Sequence, residues 1–331
     1  MSRVTMADVA REAGVSLMTV SRALNDKDGI SETTRARIQE VIERLGYHPS
    51  SIARGLVTKR THTIGLVVPD NSNPYFSELA RGVEHTAYAQ NYNVFLCNTE
   101  EDSKREKAVL QSLAEQSVDG LILCSSRLTQ DDLRACLNDF PAQVLVNRSL
   151  DDTTAALILC NDGDGVRSAM SHLLQRGHRA IGMLAGPERS YGGQIRVKGF
   201  MGAFTDAGLP YNPQWIQNCS PTVDISQQTA IELLTRHPEL TALICFNDLV
   251  AVGAMKACAS LGLTVPDNIA IIGFDDIPLA SLVTPPLTTI HVQRYEIGRI
   301  AGETLIAKIK GETVKSVHVL PVSFIVRGSA P

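Results

Sequence analysis

From Thr63 onward, short runs of consecutive apolar residues alternate with amphipathic segments, and this alternation constrains the possible folds more than any other feature. Such runs, often β-branched, are typical of strands that are buried on both faces, and these strands form parallel sheets flanked by helices. The runs are IGLVV (64–68), NVFLC (93–97), GLILC (120–124), QVLVN (143–147), ALILC (156–160), IGMLAG (181–186), ALICF (242–246) and AIIGF (270–274). The amphipathic segments include 75–90, 104–116, 163–176 and 247–261. Because about 270 residues exceed one hydrophobic core, we predict an α/β core of two doubly wound parallel-sheet subdomains.

Polar side chains gather where several of these runs end. The segments concerned are 69–76, 147–148, 246–248 and 274–276. In open parallel sheets, a ligand binds in the crevice outside the carboxyl ends of the strands. These four segments are therefore candidates for a small-molecule site.

The first 46 residues have a different pattern, that of three short helices. Thr5 and Asp8 form a predicted capping box, Gly14 suits a positive φ after the first helix, and Ser16 can cap the second. A third helix is predicted from an N-cap serine at 31 to a terminal glycine at 46. Two short helices joined by a tight turn and supported by a third are typical of a helix-turn-helix that reads DNA. The alternative is a small helical bundle that binds nothing.

Net charge differs between the two parts of the chain. Residues 1–60 hold 10 basic and 7 acidic side chains, a net charge of +3, whereas the other 271 residues hold 21 and 28, a net charge of −7. This asymmetry indicates a modestly basic head that meets phosphate and an acidic body that does not.

Composition excludes several classes of protein. No apolar run approaches the roughly 18 residues of a membrane span, and the charged N-terminus lacks an export signal, so we predict a cytoplasmic protein without a membrane partner. The seven cysteines are scattered, with no C-x-x-C pair, which predicts reduced thiols. We predict no metal site and no cofactor.

Several segments together resemble the lactose/galactose repressor (LacI/GalR-type) family, in the pattern of ribose operon repressors. The resemblance extends over essentially the full chain. It rests on the opening helices, SSIARGL (50–56), VDGLIL (118–123), RGHRAIGMLAGP (176–187), VPDNIAIIGFDDIPLAS (265–281) and TPPLTTIHV (284–292).

The resemblance implies three parts and a homodimer that binds palindromic operator DNA. These parts are a helix-turn-helix DNA-binding domain at 1–48, a hinge helix or linker at 49–61, and an effector-binding and dimerisation core at 62–331 that is similar to periplasmic sugar-binding proteins. Within the core, the N-subdomain would comprise about 62–161 and 291–321, and the C-subdomain about 162–290 and 322–331.

Helix-turn-helix geometry and the resemblance agree on how the head would read DNA. The helix that begins at Leu17 should lie in the major groove, where Leu17, Met18 and Arg22 occupy the base-reading positions. Arg22 can donate to a guanine, and the apolar pair can contact a thymine methyl group. Phosphate contacts are expected from Thr5, Ser16, Thr19, Ser21 and Asn25. For Thr5 and Ser16, a purely capping role is the alternative.

The resemblance gives the hinge a role in the minor groove. Leu56 would wedge between central base steps and bend the duplex. Ala53 would let the two hinge helices of a dimer approach each other, and Arg54 would neutralise phosphate. The alternative is an exposed linker leucine.

Seven residues form the predicted effector site. They are Asn73, Tyr75, Phe76, Arg148, Arg196, Asn247 and Asp275. The resemblance places the aromatic pair against a sugar ring, although both rings could equally be core residues. Arginine forks and an acid suit neutral hydroxyl groups better than a phosphate ester. We therefore predict a pentose such as ribose as the effector, with a hexose or nucleoside next.

Two other functions compete with this interpretation. An enzyme is one, but GDGVRS (163–168) lacks the third glycine of a dinucleotide fingerprint, and neither a P-loop lysine motif nor a nucleophile elbow occurs. A sugar-binding protein for transport is the other, and it would need an export signal and no DNA-binding head.

Overall fold

The computed structural model describes residues 4–24, 28–47 and 60–331. The chain divides into two compact units, Met1–Thr61 and His62–Pro331. The predicted boundaries of the hinge stay predictions, because residues 48–59 lie outside the described part.

Three helices form the first unit: α1 (Met6–Glu12), α2 (Leu17–Leu24) and α3 (Glu32–Leu45). The predicted capping box is confirmed, since Asp8 donates its backbone N–H to the Thr5 hydroxyl and its carboxylate accepts from the Thr5 backbone N–H. Gly14 has a φ of 64°, which a glycine adopts without strain. The apolar faces of the helices pack together around a buried cluster that comprises Val9, Ala10, Ala13, Val20, Ile38, Val41, Ile42 and Tyr47.

The second unit begins with a six-stranded sheet in the order β11-β5-β4-β3-β1-β2, and its pairings are all parallel. Its strands are β1 (Thr63–Val68), β2 (Asn93–Asn98), β3 (Gly120–Cys124), β4 (Gln143–Val146), β5 (Ala156–Cys160) and β11 (Val317–Leu320). The helices that follow its strands are α4 (Pro74–Ala89), α5 (Ser103–Glu115), α6 (Gln130–Leu137) and α7 (Asp162–Gln175).

A second parallel sheet has four strands in the order β7-β6-β8-β9. Its strands are β6 (Ile181–Ala185), β7 (Ile216–Asn218), β8 (Ala242–Cys245) and β9 (Ala270–Ile272). Its helices are α8 (Tyr191–Asp206), α9 (Val223–Arg236), α10 (Asp248–Ser260) and α11 (Pro278–Leu282), with a short 3-10 helix at Pro213–Trp215. The predicted α/β core of two parallel sheets is confirmed.

The chain passes between the two sheets more than once. It leaves the first sheet after β5 and enters the second at β6. It returns through β10 (Thr289–His291) and α12 (Arg294–Lys310) to β11, and β12 (Ser323–Ile325) then pairs antiparallel with β10. The loops at the carboxyl ends of both sets of strands line a single cavity, described below.

Helices α4 and α12 pack closely through glycines. A Cβ at Gly82 would overlap the backbone of α12, and one at Gly298 would overlap the Leu79 carbonyl group of α4. The contact lies in the middle of α4, whose first turn carries Tyr75 and Phe76 and whose N-cap is Asn73. In residues 4–24, 28–47 and 60–331, no helix combines the length and the apolar character needed to cross a membrane.

Candidate functional site

A cavity of about 270 Å³ lies within residues 62–331. Six of the seven predicted effector residues line it: Asn73, Tyr75, Phe76, Arg196, Asn247 and Asp275. The other lining residues are Asp70, Glu100, Glu101, Ser125, Arg127, Asn147, Ser190, Gly192, Ser220, Pro221, Thr222 and Phe246. Most of these residues also lie in loops that follow strands. The rule that a ligand site forms at the carboxyl ends of the strands therefore applies to more strands than the four marked in the sequence.

Three buried charged residues line the cavity: Arg127, Arg196 and Asp275. Arg196 is 6% exposed, donates from Nε to Asp162 at 2.9 Å and donates from Nη1 to the Phe246 carbonyl oxygen. Its Nη2 lies 3.8 Å from Oδ1 of Asp275, too far for a hydrogen bond. Within the described part of the chain, no side chain donates a hydrogen bond to the Asp275 carboxylate. Burial raises the pKa of Asp275 well above its ordinary value, and Arg196 opposes this shift.

Sequence reasoning missed Asp162, the partner that orients Arg196. It is the first residue of α7, two positions after the end of β5, and is 4% exposed, so its carboxylate is buried with the guanidinium. The Phe274 ring lies against the other side of that guanidinium, with its centroid 3.5 Å from Cζ. Arg196 is thereby held in one orientation.

Three amide side chains surround the cavity, and each already makes one bond to the protein. Asn73 Oδ1 accepts from the Tyr75 N–H at 3.0 Å, and Asn247 Oδ1 accepts from the Val250 N–H at 2.9 Å, so both cap helices. Asn147 Nδ2 donates to the Tyr75 hydroxyl at 2.7 Å. The first two amides retain a donor group, and the third retains an acceptor.

Aromatic rings form the apolar part of the lining. Tyr75 and Phe76 pack edge to face with centroids 4.9 Å apart. Both are buried in the core cluster and also line the cavity, so the two interpretations of this pair are compatible. Phe246 lies in the candidate segment 246–248 but was not among the seven predicted effector residues. Its ring fits because position 186 is glycine, where a Cβ would lie 2.5 Å from the ring.

The predicted position of Arg148 needs correction, because this residue does not line the cavity. Asn147 has a φ of 49°, and this turn brings Asn147 to the cavity while Arg148 extends towards Leu128. Arg148 Nη2 donates to the Leu128 carbonyl oxygen at 2.7 Å. Arg127 lines the cavity instead and pairs through Nε with Glu101 at 2.5 Å.

The first unit presents apolar side chains at the start of α2. Leu17 is 53% exposed and Met18 is 66% exposed, although side chains of this kind are usually buried. Arg22 is exposed on the same helix. Exposed large apolar residues beside a cation are consistent with a surface that meets base edges.

Of the residues predicted to contact phosphate, two cap helices, two lie on α2 and one lies outside the described residues. The Thr5 hydroxyl donates to Asp8 Oδ2 at 2.7 Å, and Ser16 Oγ accepts from the Thr19 N–H at 3.1 Å. Both capping roles are therefore present, and Ser21 lies half-buried on α2. The remaining predicted DNA contacts lie outside the described residues: Asn25, Ala53, Arg54 and Leu56.

Among residues 4–24, 28–47 and 60–331, no group of three or more His, Cys, Asp or Glu side chains is arranged to hold a metal ion. All seven cysteines are free thiols, and four of them are buried.

Two protein-family descriptions match the chain. "Bacterial regulatory proteins, lacI family" matches residues 5–50, and "Periplasmic binding proteins and sugar binding domain of LacI family" matches residues 61–327. The HTH-type transcriptional repressor PurR of Aliivibrio salmonicida is 37% identical, and the alignment covers 96% of this chain and 99% of the relative.

Solved structures give a consistent result. The Lac repressor dimer bound to operator and the anti-inducer ONPF is similar over 99% of both chains, with a TM-score of 0.86 and 28% identity. A LacI family transcriptional regulator from Enterococcus faecium with bound ribose covers 81% of this chain and 98% of its own, with a TM-score of 0.72 and 29% identity.

Proposed function

Because the chain belongs to the LacI family of bacterial regulatory proteins, we propose that it is a transcriptional repressor whose affinity for operator DNA is set by a small neutral sugar. The best candidate is a pentose such as ribose, bound in the cavity of residues 62–331. Two chains would act together as a homodimer on a palindromic operator.

The observation that carries this proposal is the buried Asp275 carboxylate without a hydrogen-bond donor among the described residues. Asp275 lines the cavity, so a hydroxyl group of a bound ligand can donate to its carboxylate. Asn73 and Asn247 offer amide donors, and Arg196 offers its Nη2 group beside Asp275. Hydroxyl groups both donate and accept, so a polyol can satisfy this mixed set.

The charges of the cavity support a neutral ligand. Four acidic residues line it, namely Asp70, Glu100, Glu101 and Asp275, against two arginines. Both arginines are already paired, Arg127 with Glu101 and Arg196 with Asp162. A phosphate ester would therefore meet a lining with more acidic than basic residues, in which both arginines already have carboxylate partners.

The size and the rings of the cavity support a monosaccharide. Its 270 Å³ lies just below the roughly 300 to 1,000 Å³ that is usual for drug-sized ligands. Tyr75, Phe76 and Phe246 provide apolar surface for one face of a sugar ring. A purine base is the second candidate, since the same rings can stack on a heterocycle and the relative from Aliivibrio salmonicida is named PurR.

The head would read the operator as predicted from the sequence. Leu17, Met18 and Arg22 would contact base edges, and the hydroxyls of Thr5, Ser16, Thr19 and Ser21 would contact phosphate. Asn25 and the hinge residues Ala53, Arg54 and Leu56 complete the proposed DNA contacts.

Calorimetry on the purified chain tests the effector class. We expect D-ribose to release or absorb heat on binding, and ribose 5-phosphate to bind much more weakly. Asp275→Asn should weaken D-ribose binding at least tenfold, because the amide replaces one acceptor with a donor. Asp131→Asn is the control, because it makes the same chemical change at an exposed residue that does not line the cavity. Binding of hypoxanthine but of no sugar would favour the purine candidate, and unchanged ribose affinity in Asp275→Asn would contradict the site.

A further inference from the structure

The backbone that carries Asp275 is strained. Asp275 has a φ of 102° and Asp276 a φ of 55°, so two consecutive residues with side chains occupy the left-handed region. Residues other than glycine adopt this region infrequently, and the φ of Asp275 lies well beyond the usual value near 60°, so surrounding contacts must hold it there. The turn therefore depends on neighbours that keep the Asp275 carboxylate in the cavity.

Several hydrogen bonds hold the backbone of this turn, and three of them are made by the Asp275 backbone and the Ile277 N–H. The Asp275 N–H donates to the Ile290 carbonyl oxygen at 2.8 Å, and the Asp275 carbonyl oxygen accepts from Arg294 Nη1 at 2.6 Å. The Ile277 N–H donates to Asp248 Oδ2 at 2.7 Å. In the last of these bonds, the acceptor is a carboxylate side chain, that of Asp248.

Asp248 reaches the turn by a second route. Its Oδ1 accepts from the Thr289 hydroxyl at 2.6 Å. Thr289 precedes Ile290 in β10, and the Ile290 carbonyl holds the Asp275 N–H. One carboxylate thus fixes both the far end of the turn and the strand against which the turn rests.

The position of Asp248 suits this supporting role, because its side chain cannot contact a ligand in the cavity. It is completely buried and does not line the cavity, whereas its neighbour Asn247 does. It packs so closely on position 273 that a Cβ there would overlap its Oδ1, so only glycine fits. The carboxylate has little room to move.

We propose that Asp248 is a positioning residue for the effector site: by binding the Ile277 N–H and the Thr289 hydroxyl, it holds the strained Asp275–Asp276 turn and so sets the affinity for the effector. The inference rests on the proposed function, because it takes Asp275 as a ligand-binding group.

Hydrogen exchange on the full chain without ligand tests the positioning directly. In Asp248→Ala, the peptide that spans 274–279 should exchange roughly tenfold or more faster, because the Ile277 N–H loses its side-chain acceptor. Thr289→Val is a milder, isosteric variant that should give a smaller increase in the same peptide. Asp224→Ala is the matched control, since Asp224 is also a first-turn acid of a neighbouring helix but is 90% exposed. Unchanged exchange at 274–279 in Asp248→Ala would overturn the proposal.

A double-mutant cycle with D-ribose tests the consequence. Asp248→Ala should weaken D-ribose binding roughly tenfold in the wild-type chain but less than about threefold in an Asp275→Asn background, because its effect passes through Asp275. Asp248→Asn keeps one acceptor and should restore most of the affinity. Equal losses in both backgrounds would indicate general destabilisation and overturn the proposal.

The two proposals can fail separately. If Asp275→Asn leaves ribose affinity unchanged, or the wild-type chain does not bind ribose, the proposed function fails for this sugar. The exchange measurement still decides whether Asp248 holds the turn. If Asp275→Asn weakens binding and Asp248→Ala does not, the effector site stands and the positioning role is wrong.

Discussion

The free energy of unfolding of the core should depend less on pH in Asp248→Asn than in the wild type, because the substitution removes the buried acid that titrates. Burial raises the pKa of Asp248 from 3.8 to about 7, although the bonds from Thr289 and Ile277 oppose the shift. Asp276 raises this pKa further and Arg294 lowers it. Asparagine keeps the shape and one acceptor oxygen but cannot ionise.

The sign of the effect follows from the difference between the folded and unfolded pKa values. Because the folded value is higher, the folded chain holds the proton more tightly, and the free energy of unfolding falls as pH rises from about 4 to about 7. A difference of about 3 pKa units, at about 1.4 kcal/mol each, corresponds to roughly 4 kcal/mol over the whole range. Between pH 5 and pH 8, the same relation gives a loss of about 2 to 3 kcal/mol.

Urea unfolding followed by tryptophan fluorescence measures this difference. Trp215 is the one tryptophan of the chain and lies in the second unit, where its Nε1 donates to Glu239 at 3.0 Å. Wild type, Asp248→Asn and the exposed control Asp224→Asn would be unfolded at pH 5, 6, 7 and 8. Groups that titrate equally in all three proteins cancel when the variants are subtracted.

The expected result is a stability difference between Asp248→Asn and wild type that grows in favour of the variant by about 2 to 3 kcal/mol from pH 5 to pH 8. Asp224→Asn should remain parallel to wild type. A difference that is independent of pH would refute the argument, and so would an equal change in the control.

Four further substitutions have defined outcomes. In Gly298→Ala, the new methyl group would overlap the Leu79 carbonyl oxygen, so α4 and α12 must separate; the free energy of unfolding should fall by about 3 kcal/mol, and an unchanged urea midpoint would contradict the close packing. Phe246→Leu should weaken D-ribose binding roughly threefold to tenfold in calorimetry, while the operator affinity without ligand is unchanged. If the variant binds D-ribose as tightly as the wild type, the ring does not contact the sugar. Met18→Ala and Leu56→Ala should each lower operator affinity in gel-shift titrations and leave ribose affinity constant. If Met18→Ala weakens binding to unrelated duplexes equally, Met18 does not contact bases. If Leu56→Ala does not weaken operator binding, Leu56 is not the minor-groove wedge.

Features that depend on near neighbours could be predicted from the sequence. The capping box of Thr5 and Asp8 and the terminal glycine of α3 appear where the pattern indicated. Each of the eight apolar runs contains a strand, although 270–274 ends as a strand at Ile272 and continues as the turn that carries Asp275.

Elements with weak local patterns were missed. Helix α8 contains Gly192, Gly193, Gly199 and Gly202, which disfavour a helix by propensity. Tertiary packing compensates, because a Cβ at Gly199 would overlap the backbone of Gly163 in α7. Strands β7, β10 and β12 have only three residues each, too few to show a period.

The sequence by itself determined most of the strands and helices, where several helices begin, and that polar residues collect at the carboxyl ends of parallel strands, because these properties depend on residues a few positions apart. Only the tertiary structure decided that Arg127 and not Arg148 lines the cavity, that Asp162 orients Arg196, and that Asp248 holds the turn of Asp275. These outcomes depend on which distant segments meet, and on where a buried charge finds its partner once water is excluded.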